Sequence, residues 1–136
     1  MPIFHDEERQ KRKDIAGTYT AALGSRDDIS VPRIKADRES GWHLYVVQLN
    51  PDALSIGRNQ FIEELKKRGV MTSVHFIPLH KHPFYRDTFD YDRREFQVAE
   101  AVYERVISLP IYPGMSNEDV GHVIYAVDDV LQRFRA

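Results

Sequence analysis

The chain has 136 residues, 42% of them hydrophobic and 29% charged, with a formal net charge of −2. That length suits one globular domain with a modest core, the charge leaves no basic footprint for nucleic acid, and no apolar run approaches the roughly 20 residues a membrane span needs. The lack of cysteine excludes disulfides and thiolate zinc sites, and residues 1–8 lack the basic and apolar stretches of a signal peptide, so a cytoplasmic protein is expected.

A first helix is expected over residues 5–23, where Ile15, Tyr19, Ala22 and Leu23 recur at helical spacing. Its first half, Asp6 to Asp14, is nearly all charged or polar, which fits a solvated face or a surface that needs a partner. Residues 29–41 read as a connector, with a short edge strand at 29–32, since Pro32 cannot donate to a ladder, and a turn at 39–41. Residues 42–49 give the strongest strand pattern, with Trp42, Tyr45 and Val47 as core. A helix follows over 58–68. Phe61, Ile62 and Leu65 form its apolar face, Lys66, Lys67 and Arg68 sit at its negative end, and Gly69 closes it. Residues 70–75 read as a second strand and 84–87 as a turn.

A helix is expected over 93–106 through Phe96, Ala99, Val102, Tyr103 and Val106, then a short strand at 107–110 and a turn at 112–114. Ser116 caps a final helix, with Glu118 and Asp119 at its positive end and an apolar face running from Val120 to Phe134. This order predicts an α+β fold over residues 1–136: a two-layer single domain with a three-stranded, mostly antiparallel sheet against about four helices.

Chemistry concentrates in residues 74–83, where three of the six histidines, His75, His80 and His82, fall between two prolines' worth of stiffened loop. Histidine titrates nearest neutrality, and a rigid loop is a common place for a binding residue. Three imidazoles raise a metal site, but no carboxylate lies close in sequence and a structural zinc takes four ligands, so no metal ligands are assigned. Phe76, Phe84 and Tyr85 either stack on a ligand or pack under the loop. Arg58 either binds an anion or faces water.

Several linked patterns run through the chain. Trp42-His43-Leu44-Tyr45-Val46-Val47 holds an "HLYV" strand. Arg58-Asn59-x-Phe61-Ile62-x-x-Leu65-x-x-x-Gly69-Val70 is similar to an "RD…L…GI" helix and strand, with Asn59 in the usual aspartate position. Val74-His75-Phe76-x-Pro78-Leu79-His80 is similar to "VHY-x-PLH", and Leu109-Pro110-x-Tyr112-Pro113-Gly114-Met115 with Asp119-Val120 to "LP-x-YPGM-x-x-x-DV". Together with Arg12-Lys13-x-Ile15-Ala16-x-x-Tyr19-x-x-x-Leu23, they resemble the C-terminal small domain of the DegT-type aminotransferases.

That resemblance implies a fold-type I enzyme that uses pyridoxal phosphate (PLP) and transfers an amino group, typically from glutamate, to a keto-sugar nucleotide. It also implies that this chain matches only the last third of a member. The large domain carries the Schiff-base lysine, the aspartate that pairs with the pyridinium nitrogen, and most phosphate ligands. None of those motifs is found here, and the six lysines, Lys11, Lys13, Lys35, Lys66, Lys67 and Lys81, stand outside the family's lysine motif. The expectation is a chain inactive alone, with no catalytic, cofactor-binding or metal residue and no cofactor of its own, PLP belonging to the full-length parent. The implied partners are the large domain, a second subunit of the parent dimer and a nucleotide-sugar substrate, with neither nucleic acid nor membrane. An exposed docking face would let the isolated chain self-associate. The resemblance points to His75, Phe76, His80 and Tyr85 as substrate-binding, orienting the sugar as the loop excludes water. The alternatives are a stand-alone binding or regulatory module that lost the catalytic half, and an ordinary interaction domain.

Overall fold

The strongest strand pattern becomes the middle of the sheet. In the computed structural model, which describes residues 3–136 and their side chains except at 3–5 and 93, the order is α1 (Ile3–Leu23), β1 (Ile29–Ser30), β2 (Tyr45–Leu49) and α2 (Arg58–Lys67). A 3-10 turn (Leu79–Lys81), α3 (Pro83–Thr88), a second 3-10 turn (Arg93–Phe96), α4 (Gln97–Tyr103), β3 (Val106–Leu109) and α5 (Asn117–Arg133) follow. Met1 and Pro2, on which the reading of the N-terminus partly rests, lie outside the described residues.

The sheet runs β1-β2-β3 and is antiparallel throughout. Its register pairs Tyr45 with Leu109, Val47 with Ile107 and Ile29 with Leu49. Directly paired residues share a face of the sheet, so one face carries these six apolar side chains. All six are buried, in one cluster with Tyr19 and Leu23 of α1, Phe61 and Leu65 of α2, and Val127 and Leu131 of α5. Tyr19 donates its hydroxyl to Pro110 O (2.8 Å) and meets the Tyr45 ring edge-on at 5.1 Å. Burial pushes both tyrosine hydroxyls above their ordinary pKa. The two layers are therefore helices α1, α2 and α5 over one face, with Val46, Gln48, Val106 and Ser108 turned to the other.

The ends of the helices follow from their sequence. Ser116 and Asp119 form a reciprocal capping box at α5, with Asp119 N donating to Ser116 Oγ (3.1 Å) and Ser116 N to Asp119 Oδ2 (2.8 Å). Gly69 takes φ +77° after α2, the left-handed step that glycine allows without strain. His122 Nε2 then donates to Arg68 O (2.7 Å), covering a carbonyl at that helix end. Asp28 is fully buried and held by Arg26 through two hydrogen bonds (2.8 and 2.7 Å). Arg26 also reaches Asp128 of α5, and Arg135 reaches Asp28 (3.4 Å) and Asp27 (2.9 Å). The Arg26 hydrogen bonds hold the Asp28 carboxyl below the usual carboxylate range.

Several expectations change. Residues 70–75 are not a strand: they touch the sheet at one bridge, where Ser73 and Ser108 exchange hydrogen bonds (2.8 and 3.2 Å). Met71, Thr72 and Ser73 offer no apolar alternation there, and Met71 is exposed. The third strand is instead the short edge pair Ile29–Ser30. β2 starts at Tyr45 rather than residue 42, because Trp42 adopts φ 48° and donates its N–H to Ser40 Oγ (3.1 Å). The turn expected at 39–41 forms at residues 36–37. Residues 84–87 belong to a helix started by Pro83. The expected helix over 93–106 splits, since Val106 is drawn into pairing with Gln48. On α1, Ala16 is buried and Ala22 is exposed. The expected α+β fold, a three-stranded antiparallel sheet against about four helices, is otherwise what forms, with five α-helices among the described residues.

Candidate functional site

The chain leaves the sheet at Ser73 and returns at Val106, and the histidine segment begins where it leaves. His75 lies against the face of the sheet that α1, α2 and α5 do not cover, with its Nδ1 2.8 Å from Ser108 Oγ. The register explains this contact: Ser108 pairs with Val46, out of phase with Ile107 and Leu109, and so points away from the helical layer. The Phe76 ring meets the imidazole edge-on at 4.6 Å and is itself largely exposed.

His80 has a different setting. Its ring stacks on Phe96 (4.4 Å between centroids, 10° between planes) and Nε2 donates to Glu100 Oε1 (3.0 Å). The side chain is only 8% exposed, so His80 pins the first 3-10 turn to α4. His82 donates Nε2 to Ile77 O (3.2 Å) within its own loop. The three histidines thus have three separate partners, and among the described residues no group of three or more His, Asp or Glu is placed to hold a metal.

Tyr85 lies between Phe84 (5.4 Å) and Phe89 (6.2 Å), and the ring contacts continue through Tyr91 to Phe96. This chain of rings borders a cleft of about 430 Å³ lined by His80, Lys81, Arg86, Phe89, Tyr91 and Glu100 among others. Arg86 is paired with Asp87 (2.7 Å) and Lys81 with Glu104 (3.7 Å), so both cations are already partly neutralised. The structure brings His80 and Tyr85 into one aromatic assembly and places His75 and Phe76 at the sheet. A larger cleft, about 1120 Å³, lies elsewhere, between α1 and the connector at Pro32, Ile34 and Trp42.

Two features of the site escape a reading of the sequence. Ser108 is separated from His75 by 33 positions, and its only local signal is one polar residue in an otherwise apolar strand. Arg58 is half-buried and turned toward the end of α4. It donates Nε to Asn59 Oδ1 (3.1 Å), bonds the carbonyl of Tyr103, and lies over the Tyr103 ring at 4.7 Å. Lys81 lies 5.0 Å from the same ring. Arg58 of α2 therefore fastens the C-terminal end of the segment to the domain, and Lys81 ties the first 3-10 turn to the same ring.

Comparison with known proteins places this arrangement. An uncharacterized protein of Methanocaldococcus jannaschii is 49% identical over 127 residues, covering 93% of this chain and 33% of its own length. The spore coat polysaccharide biosynthesis protein SpsC of Bacillus subtilis is 39% identical over 128 residues, with the same coverages. Among solved structures, PseC of Helicobacter pylori, an aminotransferase involved in the biosynthesis of pseudoaminic acid, superposes with a TM-score of 0.83 at 26% identity. It covers 93% of this chain and 33% of its own. The chain thus spans about a third of the length of the curated relatives it matches. The signature of the DegT/DnrJ/EryC1/StrS aminotransferase family matches residues 5–128, and the chain belongs to that family.

Proposed function

We propose that this chain is the small-domain part of a PLP-dependent aminotransferase that moves an amino group, from glutamate, onto a keto-sugar nucleotide. The family match over residues 5–128, set against a chain spanning a third of its relatives, carries this reading. The sugar-related names of SpsC and PseC support the substrate class.

PLP supplies an electron sink and needs a lysine to hold it covalently. The residues present do not fit it. Lys11, Lys13, Lys35, Lys66 and Lys67 are exposed, and Lys81 is engaged with Glu104 and the Tyr103 ring. None is a buried amine facing a phosphate cradle, which supports the reading of a chain inactive alone, and no chemical step is assigned to it.

What this chain supplies is one wall of a site. His75 and Phe76 contact the substrate at the sheet, with His80 and Tyr85 shaping the aromatic border beside them. Exposed Phe76, Ile77, Leu79, Phe84 and Val98 in one segment favour a severed domain over a self-sufficient module, because monomers seldom expose large apolar patches. The remainder of the enzyme and a second subunit are the partners such a surface fits.

The test has two arms. With PLP, glutamate and a UDP-linked 4-keto-sugar, the chain forms no amino-sugar; turnover overturns the reading of an inactive part. Titration with UDP-glucose followed by NMR gives saturable shifts centred on residues 75–85, with affinity on the order of millimolar. A flat titration rejects the substrate-facing role of this segment.

A further inference from the structure

Ser108 and Asp28 are the two buried polar residues among those described. Asp28 is answered by two arginines, whereas the Ser108 hydroxyl has one partner, His75 Nδ1 at 2.8 Å. The Ser108 backbone is already satisfied, its N–H and C=O both bonded to Ser73. A hydroxyl has one proton to donate, and a buried donor left unmade costs more than an acceptor with capacity to spare. With no other acceptor in reach among the described residues, the Ser108 proton goes to Nδ1. Nδ1 is then unprotonated, and the neutral imidazole carries its hydrogen on Nε2. The Phe76 ring, edge-on at 4.6 Å, packs against the imidazole and helps to set its plane. His75 is half-buried, and its Nε2 has no partner among the described residues.

We propose that Ser108 is a positioning residue that holds His75 as the Nε2–H tautomer, so that His75 offers a fixed hydrogen-bond donor to an oxygen of the sugar nucleotide. The identity of that ligand rests on the function proposed above. The hold of Ser108 on the imidazole does not. The consequence is chemical: toward the ligand His75 presents an N–H, suited to a phosphate, hydroxyl or keto oxygen, and no lone pair with which to accept a proton. It orients and polarises an oxygen.

Long-range ¹H–¹⁵N correlation on the ¹⁵N-labelled chain, at a pH of about 8 where free imidazole is neutral, reads the tautomer directly. Expected are an unprotonated Nδ1 and a protonated Nε2 for His75. Ser108→Ala shifts both nitrogens toward a tautomeric mixture, and Ser108→Thr, which keeps the hydroxyl, restores the native pattern. A structural role alone would not give that rescue. A protonated Nδ1 in the native chain, or an unchanged pattern in Ser108→Ala, overturns the proposal. If Ser108→Ala loses its dispersed amide spectrum, the native chain and Ser108→Thr still decide the tautomer. With UDP-glucose as probe, Ser108→Ala weakens binding about threefold and Ser108→Thr leaves it unchanged. If the native chain shows the assigned tautomer but a flat titration, the ligand-facing half falls with the function it rests on, and the hold of Ser108 on His75 stands.

Discussion

Tyr19, Tyr45, Phe61 and Leu131 are wholly withdrawn from water, whereas between residues 75 and 104 no described residue joins the buried apolar cluster and the His80 imidazole is shielded by its own pairings. The first set belongs to a layer in which α1, α2, α5 and the sheet share one apolar cluster. There stability scales with apolar area, and any side chain removed is felt by all its neighbours. The 75–104 segment is held by discrete pairings instead: the His80–Phe96 stack, the His80–Glu100 hydrogen bond, the Tyr85–Phe89–Tyr91 ring contacts, and Arg58 over Tyr103. Each such ring or cation contact contributes about 0.5–1.5 kcal/mol. Such discretely held segments open locally at lower free energy than a shared core. The difference shows how one small domain combines a fixed frame with a segment held by separate pairings.

The comparison breaks first if the frame is not where stability resides. Phe61→Ala should cost about 3–5 kcal/mol in urea unfolding, while Phe84→Ala, at a side chain 67% exposed, should stay within about 0.5 kcal/mol. Equal losses would erase the distinction. Asp28→Ala leaves the Arg26 charge without its buried partner and should cost about 3–5 kcal/mol.

Acid tests the same pair. Arg26 depresses the folded pKa of Asp28, so the unfolded chain takes up that proton at higher pH. The stabilisation is complete above the unfolded carboxylate pKa of about 4 and is lost as pH falls through the lower folded value. Denaturation midpoints of the native chain should therefore decline more steeply below about pH 4 than those of Asp28→Asn; parallel curves would remove Asp28 as a cause.

Within the 75–104 segment, His80→Ala should favour local opening by about 1 kcal/mol. Amides of α4 should then exchange about fivefold faster while those of α5 do not change. The smallest effect concerns the site where this chain departs from the family pattern. Asn59→Asp places a carboxylate where Arg58 now meets an amide oxygen, and should stabilise by a few tenths of a kcal/mol at low salt. A loss would mean that the Asn59 amide has a second role.

These contrasts follow what the sequence could convey. The helices α1, α2 and α5 were legible because their apolar stripes repeat at 3.6 residues and their ends carry local chemistry, as with Ser116 and Gly69. Residues 70–75 misled because Val70 and Val74 suggest a strand, although pairing depends on Ser108 and occurs only at Ser73. The break before Val106 is likewise imposed from a distance by Gln48. Of the site, the histidines stood out by clustering. Their differences did not, because Ser108, Phe96 and Glu100 come from other elements. The resemblance to the aminotransferase family read from the linked motifs is confirmed by the family match.

The reciprocal bond between Ser73 and Ser108 has an evolutionary consequence. It closes the stem on which the whole segment stands, so both ends of the excursion are anchored before any residue between them is specified. Insertions in a loop with closed ends add little entropic cost. The segment can therefore be exchanged, lengthened or rewritten as a cassette while strand register and helical layer stay intact. The composition of the segment can then diverge along a lineage without renegotiating the fold.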